Sequence, residues 1–355
     1  MEASASASYE VVGVMSGSSL DGLDLAWCQL RLDRGRWTCN IREARTVPYD
    51  AAFRGRLVAA MDGSALELAR LHRDLGRMIG MACRELMGSA SVDLIASHGH
   101  TLFHKPDEGL TTQLGCGAHI AVSSGITTVC DFRTTDVALG GQGAPLVPLG
   151  ERLLFPEHKA FLNIGGICNI ALHGVDRVLG YDVCIGNQAL NELAGEAGMA
   201  YDAGGSLART GQVVPALLAA LNALPYHRQP PPRSLGREWF SAAVRPLITD
   251  AGIPLADRLA SVVEHIAEQV GLALKETSRP VLVTGGGAHN TYLLERLRAL
   301  AGVAIEVPDA RTVDYKEALI FALLGALRIR CEATALASVT GAGRDSVGGA
   351  VYLAN

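Results

Sequence analysis

The sequence predicts an α/β protein built as two lobes, and three observations carry that prediction. The chain has 355 residues, more than one hydrophobic core normally supports. Two stretches share one grammar of apolar strand, Gly-rich turn and apolar strand: "VVGVMSGSSLDGLDLAWCQL" near the start and "KAFLNIGGICNIAL" near the middle. After each, short apolar runs alternate with segments of helical periodicity, the pattern of sheets covered by helices.

Tyr9–Met15 reads as a strand and Leu23–Leu30 as its hairpin partner. Ser64 with Glu67 forms a capping box, and Leu68, Leu71, Leu75, Ile79, Ala82 and Leu86 follow at helical spacing. "VDLIASHGH" and "ITTVCDF" are buried strands, the second leading into the Gly-rich "RTTDVALGGQGAPLVP". In the second lobe "VLGYDVCIGNQALNELA" runs from strand through a turn into a helix. "PYHRQPPPRSLGREW" (225–239) is Pro- and Arg-rich and reads as an irregular excursion. Leu259, Val262, Val263, Ile266, Val270 and Leu274 mark a long amphipathic helix. "RPVLVTGGGAHN" is a strand opening onto a glycine turn, "NTYLLERLRALA" a helix, "VAIEVP" a strand, "YKEALIFALLGALRIR" an apolar helix and "GGAVYLA" the closing strand. The expected lobes are 1–138 with 335–355, and 139–334, with the boundary inside 133–146.

Hydrophobic residues make up 49% and charged residues 19%, the balance of a well-buried soluble enzyme. Net charge is −5 without a Lys/Arg cluster, which argues against nucleic acid as a partner. No apolar run reaches membrane-spanning length. The start, "MEASASASYE", lacks the basic and apolar regions of a secretory leader. The eight cysteines contain no CxxC pair and read as buried thiols. These features point to a reduced, cytoplasmic protein.

Many of the 40 glycines gather in tight groups at 140–143, 165–166, 204–205 and 285–287, a clustering that favours ligand loops over generic turns. Neither the lysine P-loop nor the dinucleotide fingerprint occurs. What remains is phosphate binding by hairpin turns. Gly17, Ser18 and Ser19 offer backbone N–H groups and hydroxyls to phosphate oxygens, and Asp21 and Asp24 offer hard oxygens to Mg²⁺. Gly165 and Gly166, flanked by Asn163 and Asn169, can face the same phosphates, and Gly285, Gly286 and Gly287 can take the nucleoside. Each loop alone reads as an ordinary tight turn; the three together read as a nucleotide site.

The chain resembles the sugar-kinase/actin superfamily, and within it the anhydro-N-acetylmuramic acid kinase family. The resemblance rests on "GVMSGSSLDGLD" (13–24), "SHGHTLFH" (97–104), "DFRTTDVALGGQGAPLVP" (131–148), "LNIGGICNI" (162–170), "YDVCIGNQALN" (181–191), "VTGGGAHN" (283–290) and "VTGAGRDSVGGAV" (339–351). The motifs keep the family's order and cover nearly the whole chain. The resemblance implies two actin-like, ribonuclease-H-like lobes with an ATP cleft between them. It implies use of ATP and Mg²⁺ to open a 1,6-anhydro sugar and phosphorylate O6, with ATP contacts including Gly22. Water attacks C1, and the freed O6 takes the γ-phosphoryl group. A base for that water falls on Asp182; from the residues alone, Asp182 reads more readily as a capping or turn aspartate. The implied sugar contacts are His98, His100, Arg133, Gln142, Asn187 and Glu317. Arg133 can bind a lactyl carboxylate bidentately or pair with Asp131 or Asp136. Glu317 can orient Mg²⁺ or the sugar, or simply favour a helix start. His98, His100 and His104 invite a metal reading, but no Cys or carboxylate is spaced to complete the set, and sugar-hydroxyl binding is the better reading.

The chain departs from the family pattern near the base. The family more often shows Asp-Thr-Gly-Pro-Gly-Asn, where this sequence reads Asp182-Val183-Cys184-Ile185-Gly186-Asn187. Position 100, often Gln, is His, and the usual GTS is Gly17-Ser18-Ser19. Another anhydro sugar such as levoglucosan, and a non-catalytic ATP- or sugar-binding role, stand as alternatives. A homodimer stays open.

Overall fold

The computed structural model describes residues 6–17, 20–174, 178–231, 233–275 and 277–354. Its strands, in chain order, are β1 (Ala7–Ser16), β2 (Gly22–Asp33), β3 (Arg36–Pro48), β4 (Leu94–Lys105), β5 (Leu110–Leu114), β6 (Thr128–Cys130), β7 (Ala160–Ile164), β8 (Ile167–His173), β9 (Val178–Ile185), β10 (Val281–Thr284), β11 (Ile305–Glu306) and β12 (Ala350–Tyr352). The principal helices are α1 (Ala65–Met87), α2 (Gly117–Ser124), α3 (Asn187–Glu196), α4 (Leu255–Leu274), α5 (Thr291–Leu300) and α6 (Ala310–Ile329).

The chain divides into two compact units, Met1–Phe155 with Tyr315–Asn355, and Pro156–Asp314. These divisions differ from the expected 138/139 and 334/335. Leu146 and Leu149, and the run from Ala318 to Leu327, lie in the first unit's hydrophobic core, which is why both segments belong there. The kink in α6 at Tyr315 (φ −119°, ψ 19°) falls at the second division.

The first unit carries a sheet ordered β12-β6-β4-β1-β2-β3, with β5 paired to β4. Strands β1, β4 and β6 are parallel, and β2 is antiparallel to both its neighbours. Central β1 is apolar on both faces, as a covered sheet requires. Val12 and Val14 pack with Leu71, Leu75 and Ile79 of α1, while Val11 packs with the α6 side. Gly13 shares the α6 face, and a Cβ there would lie 1.8 Å from the Ala318 carbonyl oxygen. The helix bearing Glu317 therefore rests directly on the β1 backbone. At the head of α1 the Ser64 hydroxyl accepts from the Glu67 N–H at 3.2 Å, the first half of the predicted capping box, while the Glu67 carboxylate accepts from Arg56 instead of closing the box.

The second unit has the sheet order β11-β10-β7-β8-β9. Here β7, β8 and β9 form an antiparallel meander, and β10 and β11 run parallel to β7. One core joins Leu162, Ile164 and Val183 of the sheet to Val263 and Ile266 of α4 and Leu293 of α5. Within its unit the second sheet reads third, second, first, fourth, fifth with the second strand reversed, and the first sheet reads the same once β5, which pairs only with β4, is left out of the count, with β12 as an added edge strand. That is ribonuclease-H-like topology, present twice. No helix among the described residues is long and apolar enough to cross a membrane.

Strand β3 has no counterpart in the sequence reading. "RWTCNIREARTVP" interleaves charge with apolar residues, and β3 lies at the sheet edge, where charged side chains are tolerated and protect against further pairing.

Candidate active site

In the first unit the β1–β2 turn lies where expected. Ser18 and Ser19 fall outside the described residues. The Leu20 N–H donates to the Gly17 carbonyl at 3.3 Å, and the Tyr49 N–H to the Asp21 carbonyl at 3.1 Å. Gly22 pairs with Pro48 and is buried. Ser16, just before the turn, shares hydrogen bonds with the Tyr49 hydroxyl (2.7 Å) and His100 Nδ1 (3.1 Å). Burial pushes the Tyr49 phenol up to about 12, and the negative charges of Asp21 and Asp24 add to the rise. Both carboxylates thus act on one side of the turn. The Thr46 hydroxyl donates to Asp24 Oδ1 at 2.6 Å. Among the described residues no three His, Cys, Asp or Glu side chains gather closely enough to enclose a metal ion. A pair of aspartates fits Mg²⁺ instead, since that ion keeps several waters and takes other ligands from phosphate oxygens.

The β4 and β6 ends bring His98 and Arg133 together. Arg133 Nε–H donates to His98 Nε2 at 2.9 Å, and Arg133 Nη1 to the Gly143 carbonyl at 2.7 Å. His98 Nδ1 donates to the Gly99 carbonyl at 2.9 Å. Burial and then the Arg133 charge depress the imidazole to about 3, so it stays neutral. This corrects the expectation that His98 binds a sugar hydroxyl: both ring nitrogens are engaged. It also removes the alternative pairing of Arg133 with Asp131 or Asp136. Asp131 accepts from Thr134 (2.5 Å), while Asp136 accepts from the Gly143 N–H and the Thr340 hydroxyl, each at 2.8 Å. Gln142 donates its N–H to the Thr340 carbonyl at 2.8 Å, and its side chain is exposed. Glu317 stands in the turn after the α6 kink. Solvent reaches its side chain, yet the packed surroundings raise its pKa; Lys316 and Arg133 oppose the rise, Asp24 and Glu151 reinforce it. Asp24 and Arg133 therefore each lie within electrostatic reach of Glu317.

The second unit gathers three predicted loops at the ends of β7, β9 and β10. The Gly165 carbonyl accepts from the Asn187 N–H (2.9 Å), and the Gly166 carbonyl from those of Gly186 (2.8 Å) and Gln188 (3.2 Å). The glycine turn is thereby fastened to the start of α3. Asn187 Nδ2 also donates to the Ile164 carbonyl at 3.3 Å. Gly285 adopts φ +84° directly over Asn163, whose Oδ1 would lie 2.6 Å from any Cβ there. A cavity of about 320 Å³ opens beside these loops, lined by Asn187, Leu190, Tyr201, Asp202, Gly286 and His289 among others.

Asp182 sits inside β9, with Gly186 as the residue capping α3, so it is neither a cap nor a turn aspartate. Cys168 pairs with Cys184 and Asn169 with Asp182, which leaves Val183 as a bulge. Bulges re-aim the neighbouring side chain. Carboxylate Oδ2 accepts the Leu235 N–H at 2.8 Å, while Oδ1 has no hydrogen bond among the described residues. Burial raises the pKa, and the Leu235 N–H partly offsets the rise. A half-satisfied carboxylate with raised pKa is suited to accept a proton.

A family model described as anhydro-N-acetylmuramic acid kinase matches residues 9–354. The chain belongs to this kinase family. Among curated relatives, the anhydro-N-acetylmuramic acid kinase of Gloeobacter violaceus is 38% identical, covering 94% of this chain and 96% of its own. That of Variovorax paradoxus is 37% identical over 96% and 98%, and that of Xanthomonas axonopodis pv. citri 39% over 96% and 97%. Among solved structures, an activator of 2-hydroxyisocaproyl-CoA dehydratase from Clostridium difficile overlaps 88% of the chain and 93% of its own at TM-score 0.43 and 15% identity.

Sequence reasoning about this anhydro-N-acetylmuramic acid kinase family member missed the role of Asp136, which ties the 133–143 loop to Thr340, and missed Tyr226, Arg233 and Leu235, which hold Asp182. The Pro- and Arg-rich composition of 225–239 was the available signal for the latter group, and it marked only an excursion.

Proposed function

We infer that the chain carries the activity of its family: with ATP it hydrolyses the 1,6-anhydro bond of 1,6-anhydro-N-acetylmuramic acid and phosphorylates O6, giving N-acetylmuramic acid 6-phosphate. The family match across residues 9–354 carries this reading. The relatives named above all bear that one activity, so neither levoglucosan nor a non-catalytic role is favoured. Asp182 takes the proton of the attacking water as C1–O6 breaks, and the O6 released accepts the γ-phosphoryl group as ADP leaves. Support for this role comes from the half-bonded carboxylate and its burial-raised pKa.

The second unit's cavity beside Gly285–Gly287 takes the nucleoside, with Gly165–Gly166 and the 17–24 turn at the phosphates. Asp21 and Asp24 hold Mg²⁺, which supplies charge neutralisation at the transferring group. Arg133 receives the sugar's lactyl carboxylate through the guanidinium edge that His98 and Gly143 leave open. His100, Gln142, Asn187 and Glu317 complete the sugar contacts. The expected compartment is the cytoplasm.

The test is incubation with Mg-ATP and the anhydro sugar in ¹⁸O-water, with mass spectrometry of the product. A 6-phosphate labelled at C1 is expected, and Asp182→Asn should slow its formation by about 10²–10⁴-fold, leaving a measurable residual rate. An unlabelled C1, or full turnover by Asp182→Asn, would overturn the mechanism.

A further inference from the structure

We propose that residues 225–231 and 233–235 act as a strap whose Tyr226 and Arg233 are positioning residues for the Asp182 carboxylate. The proposal rests on the reading of Asp182 as the base. Strand β9 is the edge of its sheet, and Asp182 lies beside the Val183 bulge. An edge strand has unpaired backbone groups, and a bulge disrupts its ladder, so this would be a loose place to mount a base.

The strap answers that weakness at Asp182 itself. The Asp182 N–H donates to the Arg233 carbonyl at 3.0 Å. The Asp182 carbonyl accepts from the Tyr226 hydroxyl at 2.7 Å and, at 3.4 Å, from Arg233 Nε. The Leu235 N–H then reaches carboxylate Oδ2 at 2.8 Å. Backbone donor, backbone acceptor and side chain are thus all gripped by one segment.

The segment is itself knotted. The Arg233 guanidinium lies over the Tyr226 ring at 4.7 Å and the Tyr181 ring at 5.6 Å. Its Nη1 donates to the carbonyls of Tyr226 (3.0 Å) and Gln229 (2.7 Å). The Tyr226 ring packs against Trp239 at 5.3 Å between centroids. Strap residues 44 to 53 positions away in sequence therefore hold the backbone and the carboxylate of one aspartate.

Tyr226→Phe removes one hydroxyl, and Arg233→Met removes the fork while keeping its stem. Each is made alone and in the Asp182→Asn background, with thermal melting as the check on folding. Misplacing a catalytic group by about 1 Å costs up to about a hundredfold. The expected result is a fall in kcat of about tenfold for Tyr226→Phe and up to about a hundredfold for Arg233→Met, with KM for ATP within about twofold. In the Asp182→Asn background neither change should cost anything further, because a strap acting through Asp182 has nothing left to position. Unchanged kcat in folded Tyr226→Phe, or the same fold-loss in both backgrounds, overturns the proposal. Should Arg233→Met not fold, Tyr226→Phe decides. Full turnover by Asp182→Asn alone would remove the base reading instead, a separate outcome.

Discussion

Arg133 Nε–H donates to His98 Nε2 across 2.9 Å, while His98 Nδ1 donates to the Gly99 carbonyl. The imidazole is locked as one neutral tautomer, and its only acceptor is spent on the arginine. We therefore expect His98→Leu to free the guanidinium and raise KM for the anhydromuramic sugar about tenfold, or about 1.4 kcal/mol. An anhydro sugar without the lactyl acid should be turned over as well as before. His98→Gln, which restores an acceptor, should recover part of the loss. Steady-state kinetics with the two sugars decides the matter: equal losses for both would mean that His98 does not act through Arg133.

Asp182 gives a prediction in pH. Burial lifts its carboxyl above the ordinary aspartate value, with the Leu235 N–H pulling back. A base must be ionised, so turnover disappears as pH falls through the raised pKa. The acid limb of kcat/KM should lie above the value of about 3.9 for a free aspartate. An acid limb at or below that value at saturating ATP would show that another group accepts the proton.

The architecture was readable where local pattern and tertiary demand agree. The Ser64 cap, both hairpins and the Gly285 turn follow from short-range chemistry, and each lies where the pattern placed it. The site was readable only as far as local features extend. The engagement of both His98 nitrogens depends on Arg133, 35 residues away, and the grip on Asp182 depends on residues 44 to 53 positions later. No periodicity encodes such pairings. Composition marks 225–239 as irregular without saying what it touches.

Asp136 shows how such a distant pairing can be tested. It is fully buried, and its two oxygens hold the Thr340 hydroxyl and the Gly143 N–H. Asp136→Ala leaves the Gly143 N–H without its acceptor and the Thr340 hydroxyl with only the longer bond to the Leu336 carbonyl (3.3 Å), at about 1–3 kcal/mol for an unsatisfied buried group. Melting should drop by roughly 5 °C or more on that cost. The Gly143 carbonyl also holds Arg133 Nη1, so KM for the sugar should rise in the same variant. Asp136→Asn, which keeps one acceptor, should fall between. A variant that melts like the parent would show that Asp136 does not secure the loop.

The acid stability of the second unit rests on one buried imidazole, His265, and a half-buried one, His227. His265 donates from Nδ1 to Asn222 Oδ1 at 2.7 Å, and the His227 ring stands 5.0 Å away. Burial depresses His265 to about 3 and His227 to about 4, each with a smaller contribution from a neighbouring charge. In the unfolded chain both return to about 6.5. Between those values the unfolded state binds more protons than the folded one, so stability rises with pH in that window. It is fully present above pH 6.5 and is lost as pH falls toward 4. Carboxylates held low by arginine, such as Glu196, lose their contribution only below their unfolded value of about 4.5, while the raised carboxyls of Asp182 and Glu317 act in the opposite sense, so over the range 6.5 to 4.5 the contribution of a histidine is read from the difference between variant and parent. Urea unfolding across that range should show a falling free energy, with each of these histidines contributing up to about 1.4 kcal/mol per pH unit. His265→Leu should flatten the slope by one such contribution. A slope equal to the parent's would mean that His265 is not kept neutral by the fold.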